Sequence, residues 1–173
     1  MKKINVGLIG FGTIGVGVAK ILAENQEIIQ KRLGAAVCLA KIADLDITTD
    51  RGIAVNDGVL TTSVDDIIEN PEIDIVIELI GGYEPARTFI LKALKNNKHV
   101  VTANKALLAK HGDELFKTVE EKGLSIGFEA SIGGAIPIIR SIREGFVANR
   151  IQAIEGIVTV SYTHLTLPTN REV

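Results

Sequence analysis

Three glycines near the start of the chain, Gly10, Gly12 and Gly15, follow directly on the apolar run of residues 4–9. A Gly-x-Gly-x-x-Gly spacing carries information when it closes a buried strand and opens a helix, because that junction can hold a dinucleotide. Gly10 permits the tight turn, and Gly12 lets the backbone come close to a pyrophosphate. Gly15 allows the helix to pack closely on the strand. The helix N-terminus then aims unpaired N–H groups and the positive end of its dipole at the phosphates. Phe11, Thr13 and Ile14 complete the turn. A nicotinamide or flavin dinucleotide is the ligand this pattern implies.

Three later segments carry further chemistry. Asp44 closes a second apolar run, residues 35–43, where an acid can accept hydrogen bonds from the adenosine ribose hydroxyls. It stands further from Gly15 than the usual ~20 residues, and a long first helix accounts for the difference. Its charge disfavours a 2′-phosphate and so favours NAD over NADP, an effect that Lys41 and Arg51 soften. A solvated loop aspartate is the alternative. Ile80 ends a fourth strand, and Gly81 and Gly82 follow it, where backbone can approach the nicotinamide ribose; an ordinary turn would use the same glycines. Glu78 beside them either faces that site or is solvated. Lys105, in the Thr-Ala-Asn-Lys-Ala run of residues 102–106, begins a helix where its charge opposes the dipole. Near a cofactor such a cation can hold a substrate carboxylate or polarise a carbonyl during hydride transfer. Alone, it reads better as a surface lysine. The Gly-rich stretch from Glu129 to Pro137 offers backbone carbonyls beside one carboxylate, which suits a hard monovalent cation or a tight domain junction.

Other reactive types read as structural. Asp65 and Asp66 fall in the first turn of a helix capped by Ser63, where carboxylates complement the dipole. Cys38 lies within an apolar run and reads as a small buried strand residue.

The elements that must position these residues alternate along the chain. Strands are expected over residues 4–9, 35–43, 60–62, 73–80, 99–102, 124–128 and 151–158. Helices are expected over 13–32, with Ile14, Val18, Ile21 and Leu22 on its apolar side, and over 64–69, 86–96, 105–122 and 138–146. Residues 44–58 read as a long loop. This repeated βαβ rhythm predicts an α/β fold, a Rossmann-type doubly wound parallel sheet with ligand at the carboxyl ends of the strands. Composition agrees: 46% hydrophobic and 4% aromatic residues give an aliphatic core suited to strands covered on both faces. A net charge of −2 leaves no footprint for nucleic acid or an anionic membrane surface. No apolar run reaches the ~20 residues of a membrane span, and the start does not read as a signal peptide, so a cytoplasmic protein is expected.

Four pieces in this order resemble the homoserine dehydrogenase family. They are the Gly10–Gly15 turn, Glu-Leu-Ile-Gly-Gly at residues 78–82, Thr-Ala-Asn-Lys-Ala at 102–106 and Glu-Ala-Ser-Ile-Gly-Gly-Ala-Ile-Pro at 129–137. That family interconverts homoserine and aspartate 4-semialdehyde with NAD or NADP, in threonine and methionine synthesis. The resemblance implies that Lys105 lies by the nicotinamide and the substrate as a catalytic residue. It also implies a sodium-type ion held by backbone at Glu129, Ile132, Gly134 and Ile136, and a homo-oligomer for the full-length enzyme acting on a small-molecule substrate. One departure matters. Where the family runs into an Asn-Gly-Thr loop opening its substrate and dimerisation domain, this chain has Thr159-Val160-Ser161. The expected organisation is a dinucleotide-binding domain over 1–130, the start of a second domain over 131–158, and a non-native or disordered tail over 159–173. His164 in that tail is discounted. A chain of this kind should bind NAD(P) weakly with little turnover, and should self-associate through apolar surface at 138–146 and 151–158. The alternatives are a non-catalytic NAD(P)-sensing module and another amino-acid or semialdehyde dehydrogenase.

Overall fold

The computed structural model describes residues 2–155. They form two compact units that divide between Phe128 and Glu129. The first unit is built on one parallel sheet of six strands: β1 (Lys2–Ile9), β2 (Ala35–Ala43), β3 (Leu60–Thr61), β4 (Ile75–Glu78), β5 (His99–Thr102) and β6 (Ile126–Gly127). Their order, β3-β2-β1-β4-β5-β6, reverses direction between β1 and β4. A doubly wound sheet opens its ligand crevice at that reversal.

Successive residues of a strand point to opposite faces, and the core follows that alternation. Ile9, Ala43, Val76 and Val100 pack on one face with Ile67, Ile68, Ile90, Leu94, Leu107 and Leu115, which come from α3 (Asp65–Ile68), α4 (Ala86–Lys95) and α5 (Lys105–Lys122). Leu8 and Ile42 turn to the other face and meet Phe11 and Ala19, the latter from α1 (Thr13–Glu24). Both faces are covered, so the strands read as nearly continuous aliphatic runs. Arg87 of α4 grips Glu114 of α5 with two hydrogen bonds of 2.7 and 2.5 Å, and its guanidinium holds the Glu114 carboxyl below the usual range.

Several expectations need correcting. The long first helix is two, α1 and α2 (Gln26–Leu33), separated at Asn25 and closed by Gly34 in the left-handed region. The residues that α1 buries are Gly15 and Ala19, whereas Ile14 and Ile21 are exposed. Close approach of helix to sheet selects the smallest side chains, so the apolar stripe pointed to the wrong side. The N-cap of α3 is Val64 rather than Ser63. Asp65 bonds Lys92 at 2.7 Å, and Asp66 accepts from the Thr61 hydroxyl at 2.6 Å. Cys38 is only half-buried.

Among the described residues, the second unit carries the short helices α6 (Glu129–Ile132) and α7 (Ile138–Arg140), followed by a π-helical turn over Ser141–Gly145. Part of the expected loop is therefore helical, and the expected helix widens after Arg140. Ile136, Phe146, Val147, Ile151 and Ile154 are exposed there. Residues 151–155 are not in a strand; residues 156–158, the expected tail over 159–173 and His164 lie outside the described residues. No helix among the described residues is long and apolar enough to cross a membrane.

Lys98 is the buried cation of the first unit. It is 3% exposed, and its Nζ donates to the carbonyls of Asn70 (2.5 Å) and Ile73 (2.8 Å). Burial lowers its pKa, and Asp74 opposes that effect. Lys98→Met keeps the aliphatic stem and strips both carbonyls of their donor, so urea unfolding should show a loss of about 1–3 kcal/mol. The native state releases this proton at a lower pH than the unfolded chain. Titration of Lys98 therefore adds an increment of stability that is fully present above the unfolded pKa and is lost as pH falls through the folded one, on top of the hydrogen bonds. That alkaline dependence should vanish in Lys98→Met.

Candidate functional site

Each glycine of the first turn meets a different demand. Gly10 has φ +100°, and a Cβ there would lie 2.9 Å from the Leu79 carbonyl, so both conformation and space require glycine. A Cβ on Gly15 would lie 2.1 Å from the Gly10 carbonyl oxygen, which measures how tightly α1 sits on the turn. Gly12 is unlike either. As the N-cap of α1 it has φ −72° and ψ −165°, open to any residue, and among the described residues no atom beyond its chain neighbours lies within 4 Å of its Cβ position. Nothing among the described residues requires glycine at that point. Glycine there leaves open space next to helix N–H groups that the N-cap residue has no side chain to cap.

A cleft of about 730 Å³ opens at this place, lined by Gly10, Gly12, Asp44, Ile80 and Gly81 among others. It lies at the carboxyl ends of β1, β2 and β4, where the sheet reverses. Phe11, Thr13, Ile14 and Gly15 belong to the same turn: Phe11 is buried, Thr13 and Ile14 are exposed, and Gly15 sits behind the turn. Sequence reasoning missed the far wall, where Thr62, Ser63 and Val64 follow β3, and Pro85 and Phe89, which belong to the start of α4. The rule that ligand lies beyond strand ends could have found Thr62 and Ser63. A second cavity of about 360 Å³ is lined by Leu22, Cys38, Ile53 and Val55 and carries no charged side chain.

Asp44 is more engaged than a ribose acceptor alone would be. Its Oδ2 accepts from the Phe11 N–H at 2.5 Å, and its Oδ1 accepts from the Asp46 N–H at 2.9 Å. The carboxylate thus pins the glycine turn to the end of β2. Arg51 stands 3.5 Å from the same Oδ1, donates to the Asp46 carbonyl at 3.0 Å, and lies over the Phe11 ring at 5.6 Å. A guanidinium is therefore held beside two carboxylates, those of Asp44 and Asp46, at 3.5 Å from each. Asp46 itself is held well below the usual carboxylate range by hydrogen bonds from Thr49 and Thr48.

On the other side of the cleft, Glu78 is fully buried, which corrects the expectation of a ligand-facing or solvated carboxylate. Gly81 and Gly82 both take left-handed φ, 71° and 72°. Asn104 donates from Nδ2 to the Gly82 carbonyl at 2.7 Å and caps α5 by accepting from the Leu107 N–H at 3.1 Å. That pair of bonds ties the Gly82 turn to the helix that Lys105 begins. Lys105 is exposed at that helix start and is not among the residues lining the cleft.

The segment expected to bind a cation lies in the second unit. The Glu129 carboxylate accepts from the N–H groups of Ile139 (2.8 Å) and Arg140 (3.2 Å), so it caps α7. The Glu129 and Ile136 carbonyls accept from Gly133 and Ile138. No group of three or more His, Cys, Asp or Glu side chains suited to a metal occurs among the described residues.

Comparison with known proteins gives a consistent result. Residues 10–129 match a family model described as "Homoserine dehydrogenase, NAD binding domain". The chain is 44% identical to the homoserine dehydrogenase of Bacillus subtilis over 158 residues, and 46% identical to that of Pseudomonas aeruginosa over 160 residues. Each match covers 91% of this chain and 36% of the relative, so the chain spans about a third of the length of the curated relatives it matches. Among solved structures, a homoserine dehydrogenase from Thiobacillus denitrificans superposes with a TM-score of 0.81 at 47% identity, over 87% of this chain and 35% of that one. A hyperthermophilic archaeal homoserine dehydrogenase in complex with NADPH superposes at 0.68 with 26% identity, over 84% of this chain and 50% of its own.

Proposed function

We propose, from the premise that this chain belongs to the homoserine dehydrogenase family, that it is the cofactor-binding part of an enzyme interconverting L-homoserine and L-aspartate 4-semialdehyde. The observation that carries this reading is the space at Gly12, kept clear at a helix N-terminus within the cleft where the sheet reverses. Open backbone space beside uncapped helix N–H groups suits a pyrophosphate. Gly10, Phe11, Gly12, Thr13, Ile14 and Gly15 form its cradle. Asp44 and Arg51 face the adenosine ribose together, so the site accepts NAD or NADP, and the Asp44 charge favours NAD less than it would alone. Ile80, Gly81 and Gly82 border the nicotinamide half.

A bound nicotinamide supplies the hydride acceptor for the carbinol of homoserine. Lys105 is the residue of this chain proposed to act on substrate, holding its carboxylate or the oxygen on which charge changes. The backbone carbonyls at Glu129, Ile132, Gly134 and Ile136 are hard, neutral donors of the kind a sodium-type ion takes. A cytoplasmic homo-oligomer serving threonine and methionine synthesis completes the reading.

A chimera tests it: residues 1–155 of this chain in place of the corresponding third of the Bacillus subtilis enzyme. The chimera should reduce NAD(P) in the presence of homoserine. Lys105→Ala should then lower kcat by about 100-fold or more, on the scale of losing one positioned electrostatic group, with NAD(P)H affinity nearly unchanged. Turnover that survives Lys105→Ala contradicts the role given to that lysine. A chimera that binds cofactor without turnover supports a sensing module instead.

A further inference from the structure

We propose that Glu78, acting through Thr102 and Asn104, is a positioning residue that fixes the nicotinamide-side wall of the cofactor site; this rests on the dinucleotide reading above. Glu78, Thr102 and Asn104 are three of the five buried polar or charged residues among those described, and they lie together at the carboxyl ends of β4 and β5. Glu78 Oε1 accepts from the N–H groups of Ile80 (2.9 Å) and Gly81 (3.2 Å), and Oε2 accepts from the Thr102 hydroxyl (2.6 Å). The same hydroxyl oxygen accepts from the Asn104 N–H at 3.0 Å. Asn104 closes the circuit through its bond to the Gly82 carbonyl.

The turn is therefore held from both ends, by the carboxylate at Ile80 and Gly81 and by the amide at Gly82. Two consecutive glycines with positive φ have wide conformational freedom, and without such anchors the turn would sample many shapes. Stability of the sheet does not call for an acid here. Val76 and Val100, on the same strands, fill their fully buried positions with aliphatic side chains. A buried carboxylate is costly unless several donors satisfy it. Here the donors are the backbone of the turn that borders the ligand, so the cost is offset by fixing that turn.

The hydrogen bonds have a direction, and that makes the proposal testable. Thr102 donates to Glu78 and accepts from Asn104. In Glu78→Gln the amide oxygen can still serve Ile80 and Gly81, but its NH₂ then faces the Thr102 oxygen, and the hydroxyl proton loses its acceptor. Thr102→Val removes both links with little change of shape, whereas Thr102→Ser keeps them.

The experiment uses the 173-residue chain with two probes: whichever of NADH and NADPH binds more tightly, and the matching adenosine half, ADP or 2′,5′-ADP. Glu78→Gln and Thr102→Val should weaken the whole dinucleotide about tenfold, the scale of one lost buried hydrogen bond. Both should leave the adenosine half within about twofold, inside the usual scatter of such comparisons. Thr102→Ser should restore the wild-type value. Equal weakening of both probes would show a merely structural role and overturn the proposal, as would unchanged affinity for both. If Thr102→Val does not fold, Glu78→Gln carries the same comparison. A folded wild-type chain that binds neither probe would overturn the dinucleotide reading and this proposal with it.

Discussion

Gly12→Asp should raise the melting temperature of the chain while removing its affinity for NAD(P)H. The two effects have separate causes at one position. Helix α1 has no side-chain cap and no acidic residue in its first turn. An aspartate at the N-cap can accept from an unpaired N–H and complement the dipole, contributing about 0.5–1 kcal/mol. The φ of −72° and the open space around Gly12 mean that a Cβ there meets no described atom beyond its chain neighbours. The new side chain does meet the place where a pyrophosphate would sit, and it carries the same sign of charge. Loss of the helix-terminus contacts and direct repulsion together should weaken binding by about 1,000-fold, some 4 kcal/mol. Thermal melts and a fluorescence titration of the same preparation check both halves. A variant that still binds NAD(P)H near the wild-type level would move the phosphate site away from this turn.

Gly15→Ala should do the reverse, damaging the fold first. Its Cβ would stand 2.1 Å from the Gly10 carbonyl oxygen and 3.0 Å from that carbonyl carbon. Both are backbone atoms, so no rotamer change relieves the clash, and either α1 must lift from the sheet or the turn must distort. Such overpacking costs on the order of 3 kcal/mol, which for a chain of this size lowers the melting temperature by roughly 10 °C. The alanine itself favours the helix by up to ~1 kcal/mol, so the net loss measures how rigid the junction is. An unchanged melting temperature would mean that α1 is seated less tightly than these distances show.

These two variants also mark what sequence could reveal. The Gly10–Gly15 turn was legible because its constraints are local: a strand end, a turn and a helix start within a few residues. The parallel sheet was legible because apolar runs alternate with helical patterns. The buried side of α1 was not, because periodicity ranks residues by apolarity, and packing against the turn ranked them by size. Gly15 and Ala19 are buried while Ile14 and Ile21 are exposed. Glu78 was seen but misplaced, since its partner Thr102 lies on the neighbouring strand and only pairing of β4 with β5 brings them together. The turn-pinning bond of Asp44, which sequence reads as a ribose acceptor or a solvated loop aspartate, is hidden for a similar reason. Its bond to the Phe11 N–H depends on β1 and β2 ending side by side, with Ile9 opposite Ala43.

The most direct test of the central claim is an amide map of the ¹⁵N-labelled chain titrated with NADH and NADPH. Shifts are expected at the amides of Gly10–Gly15, at Asp44 and at Ile80, Gly81 and Gly82, with none at Asn70 or Lys98. Absence of any shift at millimolar cofactor, or shifts confined to the second cavity around Leu22, Cys38 and Val55, would contradict it.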